Sequence, residues 1–302
     1  MSGTQTFIAK ENSSLLPFLL KTFEHYGRNK IKSFLKYKSV SVNGKIITRH
    51  DYALHSGDKI CVKTQESIPS KKEFLKSLLD IVYEDDSIAV INKPSGLLTV
   101  STEKVRIHTA IHQLNDYLNA HSERKEKKVF IVHRLDQGAS GLLVFAKTHE
   151  IKHKLQDNWN QVEKRYYAVV EGVPKEASGT VISYLQENKR MKVYSTKRGE
   201  SKHSVTRYKL LETNGTYSLL EIFLDTGRKH QIRVHLSDIG TPIIGDDRYG
   251  SKTNPAGRLG LHAYYLSLPH PSTGKRMEFK THLPGNLRRV VEKKTTSEDY
   301  VH

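Results

Sequence analysis

The residue types that could do chemistry gather in one stretch, Val132-His133-Arg134-Leu135-Asp136-Gln137-Gly138-Ala139-Ser140-Gly141, which runs straight into the apolar segment Leu142 to Ala146. A carboxylate stands just before a glycine-containing turn that feeds a buried strand. That arrangement holds Asp136 at a rigid strand end facing a cleft, where functional groups are well fixed. Arg134, two residues earlier, favours the ionised carboxylate by Coulomb attraction. Such a group can serve as nucleophile or general base. The same Arg–Asp spacing also suits a structural ion pair, and residue types alone leave both open. Metal chemistry finds less support. Of the sixteen histidines, His133, His230, His235 and His262 lie near the segments of interest, yet none forms an HExxH or Cys/His pattern. His230 and His235, five apart, do not share a helix face cleanly. Hydrogen-bonding roles are expected for them, and no metal. Gly138 and Gly141 are not followed by the Gly-Lys-Ser/Thr of a phosphate loop.

The elements that must position Asp136 begin at Ile81. Apolar, strand-like runs (IVYEDDSIAVINKP, FIVHRLD, GLLVFAK, YYAVVEG, YSLLEIFLD) alternate with turn residues and with helical stretches such as TAIHQLNDYLNA. Their irregular spacing, without a regular βαβ repeat, predicts a mixed α+β domain over residues 81–290. In the run Gln231 to Leu236, Ile232 and Leu236 share an apolar helical face with Ile239, and Gly240 with Pro242 ends the helix. Arg233 lies off that face, free to reach the cleft. Residues 121–128 read as a solvated loop. The polar end from Arg288 reads as a frayed helix, with 291–302 a polar tail.

Residues 1–65 read as a separate module, joined by a linker over 66–80 around Pro69-Ser70. A first helical stretch runs from Leu15 to Phe23. A second, in RNKIKSFLKYKSV, spaces Ile31, Phe34 and Leu35 helically, while Arg28, Lys32 and Lys36 fall four apart on another face. Asn43-Gly44 between SVSV and KIIT suits the positive φ angles of a tight hairpin turn. Gly57-Asp58 marks a turn before the strand KICVK. Residues 1–70 carry eleven Lys/Arg against five Asp/Glu, and the whole chain has a formal net charge of +17. That balance favours a polyanionic partner, nucleic acid first, because each neutralised phosphate releases condensed counterions. Hydrophobic residues make up 36% of the chain, enough for a core. No run approaches the roughly 18 to 20 apolar residues of a spanning helix. One cysteine, Cys61, and no basic-then-apolar leader in the first fourteen residues predict a cytoplasmic protein.

Taken with their neighbours, these segments resemble a known family. HRLDQGASGLLVFAK is similar to the signature of the pseudouridine synthases of the RluA type. YEDDSIAVINKPSGLLTV (83–100), EKRYYAVVEG (163–172), DTGRKHQIRVHLSDIGTPIIGDDRYG (225–250) and RLGLHAYYLSLPHPSTGK (258–275) resemble further blocks of that family in its order. The chain departs from it at Ala139, where threonine is common, at Gln137, where arginine is frequent, and in GDDRYG, where the family reads GDPLYG. The first two are expected to alter turn geometry or substrate contacts, and the last to be peripheral. The resemblance implies a largely antiparallel sheet and a cofactor-free isomerisation. The C1′–N1 bond of a uridine breaks, the base rotates, and it is rejoined through C5. Asp136 would attack C1′ or remove the C2′ proton. Tyr166 matches the family tyrosine that lies against the uracil and can assist with the C5 proton. Arg233 matches the arginine that pairs with the carboxylate, Arg134 the one that helps extrude the base, and Leu261 the opposite wall of the uracil slot. Residues 1–65 resemble the small RNA-binding module of ribosomal protein S-four and tyrosyl-tRNA synthetases, whose basic helix lies against the RNA backbone. The pairing of the two domains implies large-subunit ribosomal RNA as substrate. Transfer RNA and a non-catalytic RNA-binding protein on the same fold are the alternatives, and a monomer is expected.

Overall fold

The computed structural model describes residues 4–292 except 25, 37, 64–78, 103–104, 106, 121–127 and 197–200. Most of the expected linker, most of the loop 121–128 and nearly all of the tail therefore lie outside the described residues. The chain divides into two units, Met1–Leu78 and Leu79–His302.

In the first unit, Leu15, Leu16 and Leu19 line the buried side of α1 (Leu15–Thr22), and Ile31, Phe34 and Leu35 that of α2 (Arg28–Lys36). Spacings of three and four put each set on one stripe. The stripes pack with Val40, Val42, Ile60 and Val62 of a small sheet. Its strands are β1 (Thr4–Ile8), β3 (Val40–Val42), β4 (Lys45–Ile46) and β6 (Lys59–Lys63), in the antiparallel order β1-β6-β3-β4, while β2 (Ser13–Ser14) pairs with β5 (Ala53–Leu54). Asn43 and Gly44 have φ of 49° and 80°, the positive pair that a two-residue turn between β3 and β4 demands. β1 is an addition to the sequence reading. Its residues are mostly exposed and its partner β6 lies far along the chain. Arg28, Lys32 and Lys36 are all exposed on α2.

The second unit is a mixed α+β fold around one large sheet. Its strands are β7 (Ile81–Glu84), β8 (Ile88–Lys93), β9 (Phe130–Ile131), β10 (Ser140–Ala146), β11 (Glu163–Glu171), β12 (Ser178–Glu187), β13 (Val193–Thr196), β14 (Lys202–Thr213), β15 (Tyr217–Leu224), β16 (Leu261–Pro269) and β17 (Arg276–Lys280). Among the described residues the order is β13-β12-β14-β15-β11-β16-β10-β8-β7, with β9 on β10 and β17 on β16. Every pairing is antiparallel except β10 with β16, which run parallel at Ser140 opposite His262 and Gly141 opposite Ala263. There the backbones nearly touch. Gly141 has φ +116°, and a Cβ on it would lie 2.2 Å from the carbonyl oxygen of Ala263. No other residue type fits.

All seven residues of β10 are buried, as its unbroken apolar run requires. Among the described residues the α-helices of the unit are α3 (Ala110–Leu118), α4 (His149–Asp157), α5 (Gln231–Asp238) and α6 (Gly285–Val291). The last corrects the expectation of a frayed end. Leu287 and Val291, four apart, are fully buried with Val169, Leu219 and Ile244. Residues 79 and 80, read as linker, belong to this unit, where the Asp80 carbonyl accepts from the Asn92 N–H. Among the described residues no helix is long and apolar enough to cross a membrane.

Candidate active site

Asp136 stands in the irregular segment between β9 and β10, and that segment is strapped to the turn after β8. The Lys93 ammonium is fully buried and donates to the carbonyls of Pro94 (2.9 Å), Leu97 (2.7 Å), Gln137 (3.3 Å) and Ala139 (2.7 Å). Burial, reinforced by Arg258, pushes Lys93 down to about 8. A desolvated ammonium is costly unless hydrogen-bonded, and here four carbonyls satisfy it. Thr99 exchanges hydrogen bonds with the Leu135 backbone, and Ser95 donates to the Gly138 carbonyl at 2.6 Å. The Asp136 backbone is thus held from both sides. The two departures from the family pattern sit in this strap. Gln137 closes it by donating to the Gly96 carbonyl, and Ala139 is buried against the cleft.

Across the cleft, α5 presents Arg233. Its Nη1 donates to Asp136 Oδ2 at 3.0 Å, while Nε and Nη2 grip both oxygens of Asp246 at 2.7 and 2.8 Å. The Asp246 side chain is wholly buried, that of Arg233 is 13% exposed and that of Asp136 28%, so the carboxylate with access to solvent is Asp136. Burial alone would lower Arg233, but the two carboxylates outweigh it and raise it, fixing the positive charge. The guanidinium also lies 4.9 Å from the ring centre of Tyr249. Tyr249 Oη accepts from the Val193 N–H (3.2 Å) and meets His230 Nδ1 at 2.7 Å, leaving His230 Nε2 directed toward Asp136 at 3.8 Å. Burial lowers His230, which favours the neutral ring. His230 caps α5 in the left-handed conformation, φ 55°, an unusual state for a side-chain-bearing residue.

A cleft of about 440 Å³ opens over this network, lined by Asp136, Arg134, Tyr166, Leu261, Lys164 and Arg233 among others. The structure brings all five catalytic-unit residues singled out in the sequence into it. Tyr166 on β11 and Leu261 on β16 share a face, since Tyr166 pairs with Ala263 and Ala168 with Leu261. Burial, with the Asp136 charge nearby, raises the Tyr166 phenol above its ordinary range, so it stays protonated near neutrality. Arg134 is exposed on the rim. Arg28, Lys32 and Lys36 belong to the other unit.

Sequence reasoning missed Lys93, His230 as a neighbour of Asp136, and the pair Asp246–Tyr249. GDDRYG supplies Asp246 and Tyr249 to the network, while the departing residues expected to be peripheral, Asp247 and Arg248, are exposed. The signal that could have found Lys93 was a lysine ending the apolar run IAVIN. The other histidines hydrogen-bond as expected. His133 Nε2 accepts from the Val144 N–H, His235 meets Ser183 and Thr206, and His262 meets Ser140 and Thr281.

Comparison with known proteins agrees with this geometry. A family model described as RNA pseudouridylate synthase matches residues 87–238. The uncharacterised RNA pseudouridine synthase YlyB of Bacillus subtilis is 32% identical over 281 residues, 91% of this chain and 92% of that one. The ribosomal large subunit pseudouridine synthase D of Escherichia coli O6:H1 is 30% identical over 290 residues, 91% of this chain and 88% of that one. The solved structure of human RNA pseudouridylate synthase domain containing 4 superposes with a TM-score of 0.59 at 27% identity, covering 73% of this chain and 96% of that one. Sequence, fold and relatives converge, and the chain belongs to the RNA pseudouridylate synthase family.

Proposed function

We propose that this RNA pseudouridine synthase acts on large-subunit ribosomal RNA and uses Asp136 as its catalytic carboxylate. The observation that carries the reading is the 3.0 Å bond from Arg233 to one Asp136 oxygen at the floor of the cleft. Among the described residues the other oxygen, Oδ1, accepts no hydrogen bond, so it is available to the ribose of an extruded uridine. Arg233, pinned by Asp246, keeps the carboxylate oriented. Tyr166 and Leu261, which line the cleft on one face of the sheet, form the walls that receive the base. Held neutral, Tyr166 serves as a packing surface and hydrogen-bond donor. Arg134 on the rim occupies the gap left by the extruded base, offsetting an unstacking cost of a few kcal/mol. The chemistry is a rearrangement within one nucleotide and calls on no metal or cofactor.

Residues 1–65 act as an S-four-like RNA-binding module, with Arg28, Lys32 and Lys36 of α2 on the phosphate backbone. The preference for large-subunit ribosomal RNA over transfer RNA rests on relatives named for that substrate. The protein works as a cytoplasmic monomer. The test uses ribosomal RNA carrying tritium at uridine C5, with EDTA present. Wild-type protein should release tritium to water and leave the RNA uncut. Asp136→Asn should bind equally well and release none. Turnover in that variant would overturn the role of Asp136, and tritium release that stops on chelation would overturn the metal-free reaction.

A further inference from the structure

Two lysines serve the cleft, Lys93 buried and Lys164 half-buried, and only the first is satisfied by the protein. Lys93 spends its ammonium on four carbonyls. Lys164, on β11, has no hydrogen bond or ion pair among the described residues. Its one close polar relation is the face of Trp159, whose ring centre lies 4.9 Å from Nζ. Burial alone pushes Lys164 down to about 8, and no carboxylate pulls it back. An aromatic face offsets only part of the cost of desolvating a cation. The remainder is recovered when an anion arrives.

The position says which anion. Lys164 and Tyr166 are two residues apart on one strand and line the same cleft. Their Cα atoms are therefore separated by about 6.6 Å along the strand, comparable with the reach from a uracil ring to its own phosphate. Beyond Lys164 the cleft continues into a groove of about 500 Å³, and Trp159, Lys164, Leu224 and Gly227 line both. An RNA strand that delivers one nucleotide into the slot has a path out across this junction. Gly227 lies beside Nζ there, where a Cβ added to it would stand 3.9 Å away, in van der Waals contact. The other cations lining the cleft are differently placed: Arg233 is held by two carboxylates, Lys229 pairs with Glu187, and Arg134 and Arg228 are exposed, the latter donating to the His203 carbonyl.

We propose that Lys164 binds the phosphodiester adjacent to the target uridine and so anchors the extruded nucleotide at the junction of cleft and groove. This inference rests on the reading of the cleft around Asp136 as the uridine site. It makes Lys164 a substrate-binding residue that contributes to affinity.

The test is a cycle between protein and RNA, using the full chain and a target oligonucleotide in which each phosphate near the target uridine is replaced in turn by an uncharged methylphosphonate. For wild-type protein, one replacement next to the uridine should weaken binding about tenfold, the scale of one charge-assisted hydrogen bond. Lys164→Gln should lose the same factor on unmodified RNA, lower the slope of log affinity against log salt by about 0.7, and be insensitive to that methylphosphonate. Lys164→Arg should recover most of the loss. Additive losses in the combination would overturn the proposal. So would intact binding by Lys164→Gln with slowed single-turnover tritium release, which would move Lys164 into the chemistry. If Lys164→Gln proves unfolded by its melting curve, the scan on wild-type and Lys164→Arg protein decides, and tolerance of every adjacent methylphosphonate overturns it. Asp136→Asn on the same RNA separates the two readings, because tritium release by that variant overturns the uridine-site assignment without altering the Lys164 binding cycle.

Discussion

Arg233 and the stripe Arg28, Lys32 and Lys36 are cations in one chain, yet the two regions treat charge in opposite ways. Arg233 is nearly enclosed, shares its guanidinium between Asp136 and the fully buried Asp246, and stacks on Tyr249. The three residues of α2 stand exposed on a helix whose other face makes the core. In the first region charge is a positioning device, fixed by partners the protein supplies. In the second it is a display on an exposed helix face, which the proposed function assigns to RNA. Buried pairs fail abruptly when one member is removed, whereas exposed charges act by small, nearly independent increments.

The largest expected effect comes from cutting the enclosed network. Arg233→Met should abolish tritium release and destabilise the catalytic unit by about 3–5 kcal/mol, because Asp246 is left buried without a counter-charge. Urea denaturation and the tritium assay read both. A stability loss below about 1 kcal/mol would mean that Asp246 reaches water in its absence, and the contrast with α2 would blur.

Gly141→Ala tests the scaffold behind that network and should cost about 3 kcal/mol, from a strained positive φ together with the clash on Ala263. Its melting temperature should fall even though no charge has changed.

Stability should next depend on pH through Lys93 and Lys164. Lys93 releases its proton near 8 in the folded protein and near 10.5 when unfolded. Between those values the unfolded chain binds more protons, so stability rises with pH by up to about 1.4 kcal/mol per unit and per lysine. The contribution is lost again as pH falls through 8. Lys164 shares the window, so Lys93→Met should remove one of two contributions and flatten the slope by about half. Midpoints in urea at pH 8 and 9.5 measure it.

The smallest effect is on the display. Lys32→Ala should leave stability within about 0.5 kcal/mol and reduce the salt slope of RNA binding by about 0.7 to 0.9. An unchanged slope would take Lys32 out of the RNA interface.

What could be read without coordinates was whatever is local along the chain. Asp136 sits beside its own glycine turn, Arg233 on a helix with a plain apolar face, and Asn43-Gly44 between two short strands. What escaped depends on contacts between distant segments. Asp246 and Tyr249 occupy a turn with no period to reveal a role, and only the fold brings them against Arg233 and His230. Lys93 read as a strand end because its acceptors include Gln137 and Ala139, more than forty positions away. β12 to β14 went unread because they form the polar side of the sheet, where β12 is mostly exposed and even Ile182 is 63% exposed. In β14 the buried positions do alternate, but two of them are Ser204 and Thr206, so the apolar signal is weak. The helix at the C-terminal end was underestimated for a related reason, since its two buried residues are surrounded by arginines.

The parallel contact between β10 and β16 also has a consequence for the chain while it is being made. β16 is encoded near the end of the catalytic unit but lies at the middle of its sheet, between β10 and β11. Until Leu261 to Pro269 leave the ribosome, the nascent chain can build β7 to β10 on one side and β11 to β15 on the other, with nothing to join them. The cleft beside Asp136 then lacks Leu261, one of the residues that line it. Closure over so long a loop is slow, and meanwhile β10 and β11 expose unpaired edges that invite association with other chains. The cost of a sheet joined through its last long strand is thus borne during translation.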